Sequence, residues 1–422
     1  MQMLHCVYQK VDLSIVKIFH SVQSVYNIDI SQHQMENILS DLLKNKIKKL
    51  NLEYECVDSS YVTEITKVLI NNTSLHNLNL SSKGIGNDAA INISKALSGD
   101  NTSLCEIKLY NNNIGDDGVI VLAEALAINL TLHKLDLSCN KINHVGAIAI
   151  GTALTINTTL ACLNLNGNQL SNGITTIANA LVNNKSLLEL ILTNTEMESI
   201  GVMQIANTLR FNTTLQILDL SNNSMGSIDV AKIANVLCHN TSLQKLYLDG
   251  NDIDDKDAVQ IARILTCDTA LQRLSLNCND IGDQGATLIA NALINTTLRV
   301  LSLRYNKIKK DGAQSLAKML AANIQLTELY IDNNKICPEG IIYLTDALLH
   351  NTFLQALYLS NPELTNIAID ISHEVFENNY TLLRFDLCAI YNSQIDEYLK
   401  RNCEIYQTKR FNTVKCLIST CD

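Results

Sequence analysis

Tyr247, Arg304, Tyr305, Tyr330 and Tyr358 crowd into the second half of a 422-residue chain that has no tryptophan and few other aromatics. Tyr and Arg bring a large contact area with a polar tip, so rows of them suit recognition of a surface rather than the making and breaking of bonds. Asp249, Arg273 and Asp332 fall beside them and add charge. Together these eight residues form the candidate protein-binding set. A plainer reading stays open: tyrosine tolerates half-exposed strand positions, and Arg304 can pair with Asp332 or Asp249.

Bond-making chemistry finds little support. The chain has no G-x-x-x-x-G-K-[ST] phosphate loop, no G-x-S-x-G elbow and no H-E-x-x-H helix, so no enzyme activity and no cofactor are expected. Thirteen cysteines, from Cys6 to Cys421, make an odd set without paired spacing, which reads as reduced thiols in a cytoplasmic protein. Cys403, Cys416 and Cys421 cluster loosely in the tail but lack a C-x-x-C pair and a nearby His, so free thiols rather than a metal site are expected. Cys139 and Cys278 occupy matching phrases, "LSCN" and "LNCN", with no cation adjacent in sequence to activate either thiol.

A formal net charge of −10 leaves no basic footprint for nucleic acid. Lys10, Asp12 and Lys17 interrupt the first apolar run, which argues against a secretory signal. No apolar stretch is long enough to span a membrane. The expected partner is therefore a protein, with no nucleic acid, membrane or small-molecule substrate.

The elements that position the candidate residues come from one recurring phrase. Leu104, Ile107, Leu109, Asn112 and Ile114 spell L-x-x-L-x-L-x-x-N-x-L, repeated as Leu132, Leu135, Leu137, Asn140, Ile142 and as Leu243, Leu246, Leu248, Asn251, Ile253. Thirteen units start at Ile47, Leu75, Leu104, Leu132, Leu160, Leu187, Leu215, Leu243, Leu271, Leu298, Leu326, Leu354 and Leu382. Their spacing of about 28 residues lies within the leucine-rich-repeat window. The expected fold is thus an α/β leucine-rich-repeat solenoid.

Each unit changes period midway. Alternation around the fourth to sixth positions, as in Leu135, Asp136 and Leu137, marks a short strand with leucines inward. Gly118, Leu122, Ala123 and Leu126 then follow helical spacing, with alanines where the helix must approach the strands, and Asn129 ends the helix. The ninth-position asparagines, Asn112, Asn140, Asn168, Asn223, Asn251, Asn279, Asn306 and Asn334, should turn inward and satisfy backbone groups that no sheet ladder reaches. Glu55, Lys83, Thr195, Pro362 and Ile390 break that ladder. Residues 1–46 read as a helical cap with a shortened opening repeat, including Val25, Ile28 and Ile30. Residues 47–392 carry the repeats, and 393–422 hold a closing helix, Ile395 to Arg401, with a tail.

Asn-x-Ser/Thr sequons at Asn101, Asn129, Asn157, Asn184, Asn212, Asn240 and Asn295 keep the repeat period. Each precedes the first leucine of a unit, so they read as turn residues rather than glycosylation sites. Identical positions in successive units stack, so the fifth, seventh and eighth positions form lateral rows. Asn79, Ser81, Asp136, Ser138, Asn164 and Asn166 make the early rows small and polar, apart from Lys108 and Tyr110, while Ile191 faces outward where its unit departs from the ladder. The tyrosines and arginines make the late rows distinct.

Phrases such as "NTTLQILDLSNNSMG" and "NLTLHKLDLSCNKINHVGAIAIGTAL" resemble ribonuclease-inhibitor-type leucine-rich repeats, which also form the sensor end of NOD-like receptors. The resemblance covers about Ile47 to Asn392. It implies a curved horseshoe with a parallel sheet on the concave face and helices on the convex face, and a non-catalytic module that binds a protein on that concave face. A GTPase activator of the Ran type is the alternative, with a cytoskeletal or ciliary scaffold as another. Relatives of the Ran activator carry an early arginine and a long acidic tail, whereas the first arginine here is Arg210 and the tail is mixed in charge.

Overall fold

The computed structural model describes residues 32–57, 59–99, 103–294, 296–359, 375, 377–386 and 396–407. The sequence readings at Val25, Ile28, Ile30, Asn101, Asn295, Pro362, Ile390, Ile395, Cys6, Cys416 and Cys421 lie outside the described residues. Two compact units divide the chain, Met1–Lys141 and Ile142–Asp422.

The first unit holds strands β1 (Lys49–Asn51), β2 (Asn77–Asn79), β3 (Glu106–Lys108) and β4 (Lys134–Asp136). The second holds β5 (Cys162–Asn164), β6 (Glu189–Ile191), β7 (Ile217–Asp219), β8 (Lys245–Tyr247), β9 (Arg273–Ser275), β10 (Val300–Ser302), β11 (Glu328–Tyr330), β12 (Ala356–Tyr358) and β13 (Arg384–Asp386). Within each unit neighbouring strands pair in chain order and always in parallel. Almost every strand leads into a helix, such as Asp116–Ile128 or Lys310–Ala322, so each connection is a crossover. The strands occupy the third to fifth positions of the repeat, one place earlier than alternation suggested. Position three is therefore a full strand position, and its side chain faces outward.

Leucines at the first, fourth and sixth positions are buried, and Leu246, Leu274, Leu301 and Leu329 have no exposed surface. Each contributes roughly 1.5–3 kcal/mol by leaving water. No repeat encloses its own leucines, so their burial depends on the neighbouring rung.

The asparagine ladder forms as expected. In the first unit Asn112 Nδ2 donates to the Leu80 and Leu109 carbonyls, while its Oδ1 accepts from the Lys83 and Ile85 amides. In the second, Asn251 and Asn279 repeat the arrangement. The exceptions show what the ladder needs. Lys83 Nζ donates to the Glu53 and Glu55 carbonyls at 3.1 and 2.6 Å, so an ammonium does the amide's work, and burial lowers the lysine pKa. Thr195 places its hydroxyl 2.9 Å from the Leu192 carbonyl.

A second ladder runs through the sequon asparagines. Asn212 Oδ1 accepts from the Thr214 and Leu215 amides, the local turn bond anticipated. Its Nδ2 also donates to the Leu181 carbonyl one repeat back, and Asn129, Asn184, Asn240, Asn323, Asn351 and Asn379 do likewise. Asn129, Asn157, Asn184, Asn212 and Asn240 are 2–6% exposed, so an enzyme cannot reach them in the folded chain.

Helix starts are capped from the preceding repeat. Asp283 Oδ1 accepts from the Lys309 and Gly312 amides, each at 2.8 Å, and Asp255 serves Gly282 and Gly285 in the same way. A Cβ on Gly312 would sit 2.7 Å from that Asp283 oxygen, which explains glycine there. Gly312→Ala should therefore destabilise the protein by about 1–2 kcal/mol despite alanine's better helix propensity. Asp283→Ala should add little in that background, because both changes remove one interaction. Additive losses in denaturant titrations would refute the shared cause.

The expectation of reduced thiols needs correction. Cys238 and Cys267, 29 residues apart, form a disulfide with Cα atoms 5.1 Å apart. One repeat of separation puts two cysteines side by side once the rungs stack, so the pairing was hidden in the period rather than in any local motif. Among the described residues no helix is long and apolar enough to cross a membrane. A helical run at 396–407 extends beyond the closing helix expected to end at Arg401.

Candidate functional site

The strand face of the second unit brings five of the eight candidate residues into one cluster. Tyr330 and Tyr358 hold the same position on β11 and β12 and are register partners, so their rings stack at 4.5 Å with planes 12° apart. The Arg304 guanidinium lies 4.4 Å from the Tyr330 ring centre and 5.3 Å from that of Tyr358. With the rings only 4.5 Å apart, a group nearly equidistant from both flanks the stack rather than capping it. Arg304 Nε also approaches Asp332 Oδ1 at 2.7 Å. That contact is a charge pair without a well-aligned hydrogen bond, since neither atom has a hydrogen-bonding partner. Burial raises the Asp332 pKa, and Arg304 opposes the shift.

Arg273 joins from β9 by reaching over β10. Its Nη2 lies 3.2 Å from Glu328 Oε2 on β11, although Val300 stands between them in the register. A buried valine at that place leaves room for the bridge. Glu328 Oε2 also accepts the Tyr330 hydroxyl at 2.9 Å. On the far side stands Arg384 of β13, exposed and the register partner of Ala356, and Tyr358 raises its guanidinium pKa. The cluster therefore reads Arg273, Glu328, Tyr330, Tyr358, Arg384, with Arg304 and Asp332 beside it.

The Tyr330 hydroxyl is pushed up to about 12 by burial first, then by its bond and charge contact with Glu328. Tyr330 is harder to ionise folded than unfolded, so the stability it contributes is whole below about pH 10 and falls as pH rises towards 12. Ultraviolet titration should show a late-ionising phase, to which Tyr247 also contributes, that Tyr330→Phe reduces by one tyrosine. An unchanged late phase in that variant would place the perturbed phenol elsewhere.

The other three candidates sit differently. Asp249 Oδ1 accepts from Ser275 Oγ at 2.6 Å and the Asn277 amide at 2.8 Å, and Asn277 Nδ2 donates to Oδ2 at 3.2 Å. Asn277 Oδ1 in turn accepts from Ser302 Oγ and the Arg304 amide. Asp249 thus anchors a polar relay along the seventh position that seats Arg304. Tyr247 is half-buried on β8, where burial raises its pKa and Arg273 opposes the rise. Tyr305 lies past its strand, with φ of +53°, in the turn at position eight. Asn111, Asn194, Asn222 and Asn333 share that left-handed backbone, which Asn and Gly accept most readily. Cys139 and Cys278 stand at the same position, so their matching phrases reflect a shared turn. Burial, then Asp136, raises the Cys139 pKa, which makes its thiol less reactive.

Glu328 and Arg384 escaped the sequence reading. Both hold position three, taken as marginal to the strand except at Arg273. Their signal was present in the alternation of Arg273, Val300, Glu328, Ala356 and Arg384 along one row. Arg210, the first arginine, lies at the end of helix Ser199–Leu209 beside Phe211. Among the described residues no group of three His, Cys, Asp or Glu side chains is placed to hold a metal.

Parallel strand and helix rungs, inward leucines and an inward asparagine ladder define a leucine-rich-repeat fold. The family model described as "Leucine Rich repeat" matches residues 100–123, 129–151, 211–234, 239–262, 268–290 and 295–317. A search of curated proteins finds no match. Among solved structures, the yeast Rad7 and Elc1 complex is similar at 18% identity and a TM-score of 0.49, covering 95% of this chain and 90% of that one. An internalin from Listeria monocytogenes gives 22% identity and a TM-score of 0.48, covering 80% and 87%. The actin-binding site 2 of leiomodin-1 gives 24% identity and a TM-score of 0.32, covering 34% and 88%. None of these likenesses bears on what the chain binds.

Proposed function

We propose that the protein is a non-catalytic recognition module that binds a protein partner on the strand face of its second unit. The single observation behind this reading is the Tyr330 and Tyr358 stack flanked by Arg304, with Arg384 at its edge. Aromatic and arginine side chains already held by neighbours lose little conformational entropy on binding, which is what an interface anchor requires. The resemblance to ribonuclease-inhibitor-type repeats and to the sensor end of NOD-like receptors supports the same class of role.

The test is affinity capture with purified wild-type protein as bait, followed by direct binding measurements on the protein recovered. Arg384→Ala should weaken that interaction while leaving the melting temperature nearly unchanged, since Arg384 is exposed. A partner whose affinity is indifferent to Arg384, Tyr330 and Tyr358 alike would move the binding face elsewhere.

A further inference from the structure

The second asparagine ladder has a gap, and the disulfide sits in it. Asn240 and Asn323 each donate to a carbonyl one repeat back. Between them, the equivalent place in the unit of Leu271 is Asp268. An ionised carboxylate has no N–H to donate, and Asp268 is exposed rather than turned inward. The Leu271 amide, which Asn Oδ1 would meet at 2.8 Å as in Leu243, reaches only the Thr269 hydroxyl at 3.5 Å. The backbone joint at this rung is thus weaker than at the preceding rung of Leu243.

Cys238 is the C-cap of helix Ser227–Leu237, and Cys267 is the C-cap of helix Ala258–Thr266. Their bond joins consecutive helices at the end where the asparagine bond fails. Both cysteines are partly exposed. The helices are otherwise linked along this edge by Arg263 Nη1, which donates to the exposed Asn235 at 2.5 Å.

We propose that Cys238–Cys267 is a reducible staple that replaces the missing asparagine rung, so that thiol–disulfide exchange sets how firmly these two repeats are joined. A dithiol reductant supplies two electrons to the sulfur–sulfur bond. That bond breaks, two protons go to the cysteine sulfurs, and the reductant leaves as its own disulfide. Repeats contact only their neighbours, so the loosening is confined to the rungs around helices Ser227–Leu237 and Ala258–Thr266.

Three measurements on the full chain test this. Non-reducing digestion of the air-oxidised protein should yield the Cys238 and Cys267 peptides joined. Dithiothreitol under native conditions should then free both thiols for alkylation. Hydrogen exchange of the two helices should speed up on the order of a hundredfold, as expected for losing a cross-link around a loop of 29 residues. Asp268→Asn restores the amide donor and should slow exchange in the reduced protein by roughly three- to tenfold. The double variant Cys238→Ser, Cys267→Ser should exchange like the reduced wild type and ignore reductant. Alkylation of both thiols without reductant, reduction only after denaturation, or a reductant effect that survives in the double variant would each overturn the proposal.

Discussion

Asn251→Ala should lower stability by about 4 kcal/mol, a loss far larger than most single substitutions cause. Asn251 has no exposed surface. Its Nδ2 donates to the Leu220 and Asp249 carbonyls at 3.0 and 3.3 Å, and its Oδ1 accepts from the Asn223 and Met225 amides at 2.9 and 3.3 Å. Truncation leaves the Asn223 and Met225 amides wholly unsatisfied at about 1–3 kcal/mol each, while the Leu220 carbonyl keeps Asn223 Nδ2 and the Asp249 carbonyl keeps the Asn222 amide. The strands cannot repair the loss, because both amides lie in the turn beyond the strands.

The effect should also be local. Rungs contact only their neighbours, so the variant should unfold in denaturant with a broadened transition whose early phase reports on the repeats around Asn251. Urea titration followed by circular dichroism, with hydrogen exchange to place the early phase, checks both parts. A loss below about 1 kcal/mol would mean that water serves those groups and the ladder is not structural.

Tyr330→Ala combined with Tyr358→Ala should reduce affinity for a captured partner by roughly 100-fold or more, the range of a lost interface anchor. The two rings stabilise each other, and Arg304 rests beside both. Removing them takes away the contact area and leaves Arg304 held only by Asp332. Each single variant should therefore cost nearly as much as the pair, since either one dismantles the stack. Tyr247→Ala should cost much less, because Tyr247 stands on β8, outside the stack. Calorimetry with the partner in hand separates these cases, and melting temperatures control for folding. Equal losses for Tyr247, Tyr330 and Tyr358 would point to diffuse burial rather than an anchored site.

Much of this organisation was legible in the repeat. Leucine at fixed positions, asparagine at the ninth and alanine on the helix each follow from what one rung needs, so thirteen copies of the same demand made them plain. The lateral rows also followed from the period, and they led to Arg304, Tyr330 and Tyr358. The strand boundary was one residue off, because leucine alternation marks which side chains point inward but not where backbone pairing starts. That shift hid Glu328 and Arg384.

The sequence by itself determined the rung: its leucines, its asparagines, and the rows in which side chains would stand. The tertiary structure alone decided what happens between rungs. Arg273 reaches Glu328 because Val300 is small enough to pass over, Asp283 caps a helix that is not its own, and Cys238 meets Cys267 because one turn of the repeat brings them together. Such contacts join residues a full period apart, so they depend on register, on side-chain size in the intervening strand and on which face each position takes. Those quantities acquire values only once the rungs are stacked.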